Sequence, residues 1–314
     1  MTEPVRSSSL QQSQVNAWLQ RFRQKANCIK GVGHGVIYLY HARKTAGSSL
    51  GNALKQIAGR SGVKYLDTEG IVVDECAFSQ NVLSAIAIRN PIDRIFSLYW
   101  YEHVDFFYSI KKEPDRAKSF EVWMNAWLDG SQWKNKIKRE YPYENYVEIE
   151  NYYVKSLISW KGSENRRINY DDFVRACQVL ESKFEIVFIT EWLHYGNQSG
   201  FLDEIFPLGY SFLSKDVVGK IDLKKKLKGK MIGQNENVYI SHLREVNKYD
   251  IMLWEYAMSL VEMRAIALND NPIFSSSSIE ANICKRRSSI NSRICRNPSK
   301  TFGLFQTPGH KGPF

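Results

Sequence analysis

The chain has 314 residues, 43% hydrophobic and 24% charged, an ordinary globular composition long enough for one large α/β unit with an appendage or for two domains. Its 43 Lys and Arg outnumber 33 Asp and Glu for a formal charge of +10, which favours an anionic ligand, nucleic acid or acidic polymer without choosing among them. Five scattered cysteines, Cys28, Cys76, Cys177, Cys284 and Cys295, form no C-x-x-C pair; they argue against a zinc site or disulfide framework, and the expectation is a soluble, cytoplasmic protein with neither a secretory signal nor a membrane span.

Residues 1–14 read as a flexible arm, and VNAWLQRFRQKA, with Val15, Leu19 and Phe22 on one side, as a helix. After glycines at 31, 33 and 35, VIYLY is short and β-branched or aromatic, as a buried strand should be. SSLGNALKQIAG then reads as a helix, with Leu50, Leu54 and Ile57 at a helical repeat and Gly59 suiting the stop. In YLDTEGIVVDECAF, IVV reads as a short strand. SAIAI (84–88) is the next; Asn90 is a favoured N-cap and Pro91 suits the first turn of the helix PIDRIFSLYWYEHV, whose Ile92, Ile95, Phe96 and Tyr99 should face inward.

The stretch FEVWMNAWLDGSQWKNKIKREYPYENYVEIENYYVKSLISW, dense in Trp and Tyr, fits either a binding lid or helices packing aromatics over a sheet. The helix DDFVRACQVLES leads into the strand EIVFIT (185–190), and LREVNKYDIMLWEYAMSLVEM reads as one amphipathic, structural helix. From Ser275 on, serines, basic pairs and a single acid, Glu280, read as a disordered tail. Strands alternating with helices imply a parallel sheet flanked by helices, with ligands gathering outside the strands' carboxyl ends. The expected organisation is an N-terminal arm and helix (1–34), a functional α/β domain (35–270) and a basic tail (271–314).

The junction HARKTAGSSL is the first candidate site. A strand that ends in a short loop and turns into a helix gathers unpaired backbone N–H groups at the positive end of the helix dipole, where anions bind. Here Lys44, following Arg43, supplies a mobile cation, Gly47 allows close backbone approach, and Thr45, Ser48 and Ser49 add hydroxyl donors. A helix merely capped by Ser48, with Lys44 solvated, would not explain the basic turn. The nucleotide-binding pattern G-x-x-x-x-G-K-[ST] is not met, because the lysine precedes the glycine by three residues and no Ser or Thr follows a Gly-Lys pair to hold magnesium. An ATP- or GTP-dependent phosphotransferase is therefore the weaker reading.

HARKTAGSSL resembles the 5′-phosphosulfate loop of sulfotransferases that use 3′-phosphoadenosine 5′-phosphosulfate (PAPS), in particular the Golgi-type family of heparan and chondroitin carbohydrate sulfotransferases. AIAIRNPIDRIFSLYWYEH is similar to that family's 3′-phosphate motif, an arginine at a strand end and a serine eight residues on: here Arg89 and Ser97. Ser97 would lie roughly 10 Å along the helix axis, a gap that a long arginine can cover to share one phosphate with a hydroxyl. ENYYVKSL, FEIVFITEWL and NKYDIMLWEYA look like later blocks, so the resemblance spans roughly residues 35 to 265.

The resemblance implies a P-loop-like three-layer sandwich, PAPS as sulfate donor, and no metal requirement. It implies donor contacts from Arg43, Lys44, Thr45, Ala46, Gly47, Ser48, Ser49, Arg89 and Ser97, and it makes Lys44 the catalytic cation on the departing oxygen. In that family a histidine or glutamate between the two motifs is the base. The candidates are Asp67, Glu69, Asp74 and Glu75; Glu75 is favoured, because it would emerge at the carboxyl end of IVV, where burial beside an anionic donor would raise its pKa usefully. His41, in the loop itself, is a reserve, as is His103, expected on a helix surface.

The lysine run KIDLKKKLKGKMIGQNEN (220–237) is either a solvated loop or a cover for an anionic ligand. The acceptor is a carbohydrate or small metabolite; the absence of an anchor weighs against a glycosaminoglycan, and a Golgi lumen would be the compartment only of a longer chain. A basic nucleic-acid-binding protein is the last alternative, without a recognisable reading motif.

Overall fold

The computed structural model describes residues 8–32, 35–69, 81–128, 149–159, 167–193 and 236–270. Helix α1 (Ser8–Val32) precedes strand β1 (Val36–His41), helix α2 (Gly47–Arg60), and strands β2 (Lys64–Glu69) and β3 (Val82–Ile88). Helix α3 (Pro91–Leu98) runs directly into a π-helix (Tyr99–Lys111), followed by a 3-10 turn (Pro114–Arg116) and α4 (Phe120–Leu128). Then come α5 (Tyr152–Leu157), α6 (Tyr170–Lys183), β4 (Ile186–Ile189), a 3-10 turn (Thr190–Trp192), α7 (Glu236–Val246) and α8 (Lys248–Asp270).

The four strands form one all-parallel sheet in the order β2-β1-β3-β4, with helices flanking it. Strands β3 and β4 are apolar because they have no solvent face: all seven residues of β3 and all four of β4 are buried. From β1 the chain steps through α2 to β2 on one side, then returns past β1 to place β3 on the other. The direction of winding therefore reverses between β1 and β3. The crevice outside their carboxyl ends is the topological switch point, where open α/β sheets bind ligands.

Several sequence expectations need correcting. The arm expected over residues 1–14 is helical from Ser8, since SSLQQSQ contains neither Gly nor Pro to stop a helix that the buried Trp18, Leu19 and Phe22 already anchor. Strand β2 was not anticipated: KYLDTE is half polar because it lies beside β1 alone among the described strands and leaves Lys64, Asp67 and Glu69 exposed. The strand expected at IVV lies outside the described residues. The long helix expected at LREVNKYDIMLWEYAMSLVEM is interrupted at the buried Asn247, whose side chain accepts from the Asn151 N–H at 3.0 Å and donates to the Leu243 carbonyl at 3.0 Å.

A second apolar cluster lies beyond α3. Phe120, Trp123 and Met124 of α4 are buried against Tyr99, Trp100 and Ile95, and Phe96 stacks on Phe120 at 4.4 Å. In α4, then, the aromatic-rich stretch builds core rather than a lid; residues 129–148 lie outside the described set, as do residues 1–7, 220–235 and 271–314. No described helix is long and apolar enough to cross a membrane.

Candidate functional site

The loop after β1 is wound tightly. Lys44 and Ala46 both adopt left-handed backbone conformations, with φ 71° and 63°, which costs roughly 1–2 kcal/mol for each residue with a Cβ. Between them Thr45 is fully buried and folds back on the strand end, its hydroxyl and N–H donating to the Ala42 carbonyl at 2.7 and 3.3 Å. Strain of this kind persists only where surrounding contacts hold it, and it concentrates at binding sites. Ala46, not Ser48, is the N-cap of α2, and no side chain caps that helix. The N–H groups of Gly47, Ser48 and Ser49 thus head α2 without a side-chain acceptor, at the positive end of a 14-residue helix.

Gly47 is demanded by packing, since a Cβ there would run into the His41 imidazole. His41 is thereby part of the floor beneath the loop, with Nε2 3.8 Å from the Asp67 carboxylate. Arg43 points the same way, its Nε 3.7 Å from Glu69. In the parallel register His41 lies opposite Glu69, so the two acids of β2 stand beside the loop that follows β1. Lys44 turns toward the π-helix, its ammonium 3.4 Å from the ring centroid of Tyr101, which is 42% exposed.

The second loop leaves β3. Arg89 reaches back to the first loop and donates from Nη1 to the Lys44 carbonyl at 3.1 Å. Its own peptide is bracketed by the buried Tyr153 hydroxyl, which accepts from the Arg89 N–H and donates to the Arg89 carbonyl, both at 3.1 Å. Asn90 caps α3 as expected, its side chain accepting from the N–H groups of Ile92 and Asp93, and Pro91 occupies the first helical position. Ser97 is half-buried in the last turn of α3. Behind them the buried Arg94 guanidinium stacks 4.5 Å from the Tyr152 ring, while the Asp250 carboxylate accepts from the N–H groups of Tyr153 and Val154, both at 2.9 Å.

Of the residues singled out in the sequence, Arg43, Lys44, Thr45, Ala46, Gly47, Ser48, Ser49 and Arg89 therefore gather at one sheet edge, with Asp67 and Glu69 alongside. Asp74 and Glu75 lie outside the described residues. His103 is not on a surface: it is 1% exposed, stacks on Tyr99, and its Nε2 accepts from the Lys118 N–H at 2.8 Å. Burial, with the Lys118 charge, pushes its pKa down to about 4, so it is a neutral core group and no reserve base.

Tyr101, Tyr153, Thr190 and Glu191 were not singled out beforehand. Each touches the loops through a contact distant in sequence, and their only trace was membership of the blocks YWYEH, ENYYVKSL and FITEWL. Among the described residues no cluster of three or more His, Cys, Asp or Glu is arranged for a metal.

Fold and site together define an α/β protein in which two strand-to-helix loops meet at a topological switch point. No family model, no curated protein and no solved structure matches the chain.

Proposed function

We propose that the protein is a sulfotransferase that moves a sulfuryl group from PAPS to a hydroxyl or amine of a carbohydrate or small-metabolite acceptor, on a P-loop-like three-layer sandwich. The observation that carries this reading is the 3.1 Å bond from Arg89 to the Lys44 carbonyl. It ties the two basic loops together at the switch point, within the span of one nucleotide that is anionic at both ends. The uncapped head of α2 suits the 5′-phosphosulfate, and Arg89 with Ser97 suits the 3′-phosphate.

In the proposed reaction the acceptor oxygen or nitrogen bonds to sulfur as the bond from sulfur to the bridging oxygen breaks. The electron pair leaves on the phosphate of adenosine 3′,5′-bisphosphate, and the acceptor proton passes to a carboxylate. Lys44 swings from Tyr101 to the bridging oxygen, where its charge counts most as negative charge builds there. Glu69 is the described acid best suited as base: it ends β2 beside the loop, and Arg43 holds it from one side. Glu75 is the alternative.

The test is transfer of labelled sulfate from PAPS to a mixed panel of glycans and small metabolites. Labelled product without added magnesium is expected, with Lys44→Ala slower by about 100-fold or more and Arg89→Ala raised mainly in donor KM. Magnesium-dependent phosphoryl transfer from ATP or GTP would overturn the reading, as would salt-sensitive nucleic-acid binding that survives Lys44→Ala in a protein inert toward PAPS.

A further inference from the structure

The turn Thr190–Trp192, where the chain leaves β4, is a third loop at the same sheet edge, and it touches both of the others. The Thr190 hydroxyl donates to the Thr45 carbonyl at 3.2 Å, in the middle of the strained first loop. One oxygen of Glu191 accepts from the Asn90 N–H at 2.8 Å, at the head of α3 in the second loop. Its other oxygen accepts from the Trp254 indole N–H of α8 at 3.4 Å, which anchors the carboxylate to the helical layer. Two consecutive residues therefore bond the backbone of loops that are 45 positions apart (Thr45 to Asn90).

We propose that Thr190 and Glu191 are positioning residues that fix the spacing between the two anion-binding loops, and that this spacing lets the protein distinguish a nucleotide phosphorylated at both 3′ and 5′ positions from one phosphorylated at 5′ alone. The proposal rests on the donor reading above. Its physical basis is a difference between two kinds of tether. The Arg89–Lys44 bond also joins the loops, but it uses a guanidinium that must turn to the 3′-phosphate when the donor arrives. The bonds from Thr190 and Glu191 use groups that face backbone, so they remain when the site fills. Glu191 carries charge on its acceptor atoms, which makes the bond to Asn90 the stronger of the two. Thr190 holds the Thr45 carbonyl in place between two left-handed residues that would otherwise relax.

Calorimetric titration of adenosine 3′,5′-bisphosphate and of adenosine 5′-phosphate into the full-length protein tests this. Thr190→Val and Glu191→Ala should each weaken bisphosphate binding by about tenfold and monophosphate binding by less than about twofold, as expected for loss of one partly buried bond that only the two-ended ligand exploits. Glu191→Gln, which keeps an acceptor for the Asn90 N–H, should restore most of the discrimination. Thr190→Val lacks only a hydroxyl and carries the test if Glu191→Ala does not fold. Parallel loss of both affinities, or no change in either, overturns the proposal and leaves the donor reading standing. Wild-type protein that does not prefer the bisphosphate overturns the donor reading, and this inference with it.

Discussion

Among the side chains at the carboxyl end of the sheet, those proposed to meet the donor stood out in the sequence more clearly than those that shape the loop. Lys44 and Arg89 stood out because a cation in a loop and a strand-end guanidinium carry meaning within a few residues, whereas Gly47, read as room for a ligand, is required by the His41 imidazole packed against it. The proposed base was less legible, and the sequence reading favoured Glu75 over Glu69. Glu69 belongs to a strand whose alternation is weak, so its place beside Arg43 emerged only from the β1–β2 register. Under the proposed function Glu69→Gln should lower kcat by about 100-fold or more, the range of a general base, and change donor KM far less, since Glu69 bears on the donor side through a long 3.7 Å approach to Arg43. Steady-state kinetics beside Glu75→Gln decides: if only the Glu75 variant slows, the base belongs to the segment between β2 and β3.

At the scale of elements, the carboxyl end of the sheet carries the candidate site and the amino end is built for cohesion. Toward the amino ends of β3 and β4, Glu185 is fully buried, accepting from the Ser84 N–H at 3.1 Å and pairing with Lys25 at 2.9 Å and Arg21 at 3.1 Å, both on α1. The Trp18 indole donates to the Glu185 carbonyl at 3.0 Å, so α1 docks through several bonds to one residue. Burial lowers the Lys25 pKa while Glu185 opposes that, which is the balance expected of a desolvated pair. The helix itself was legible from Val15, Leu19 and Phe22; its docking was not, because a lysine and an arginine on a helix read as solvated charges until an acid is buried against them. Glu185→Gln should destabilise the protein by about 3 kcal/mol, because it strands a buried ammonium. Adding Lys25→Met should recover most of that. Urea unfolding of both variants checks it, and equal losses in the two would show that the pair is not coupled.

Across the whole molecule, two other buried groups set opposite responses to acid. His103, in the π-helix, is pushed down to about 4 from 6.5 by burial and the Lys118 charge, so the unfolded chain takes up its proton first as pH falls. Its contribution to stability is present above 6.5 and is lost as pH falls toward 4. Asp250, at the start of α8, is pushed up to about 6 from 3.8 by burial, which outweighs the N–H groups of Tyr153 and Val154 and the Arg94 charge. Its contribution is full below 3.8 and is lost as pH rises through 6. Each shift corresponds to about 3 kcal/mol over its window, and the two windows overlap with opposite sign, so in the wild-type protein they offset one another. Removing either should uncover the other. His103→Gln, which keeps an acceptor for the Lys118 N–H, should gain stability relative to wild type as pH is lowered from 6.5 to 4; Asp250→Asn should gain as pH is raised from 4 to 6. Chemical denaturation at half-unit pH intervals measures both differences, and lines parallel to wild type would mean that neither group enters the folded state with its proton affinity altered.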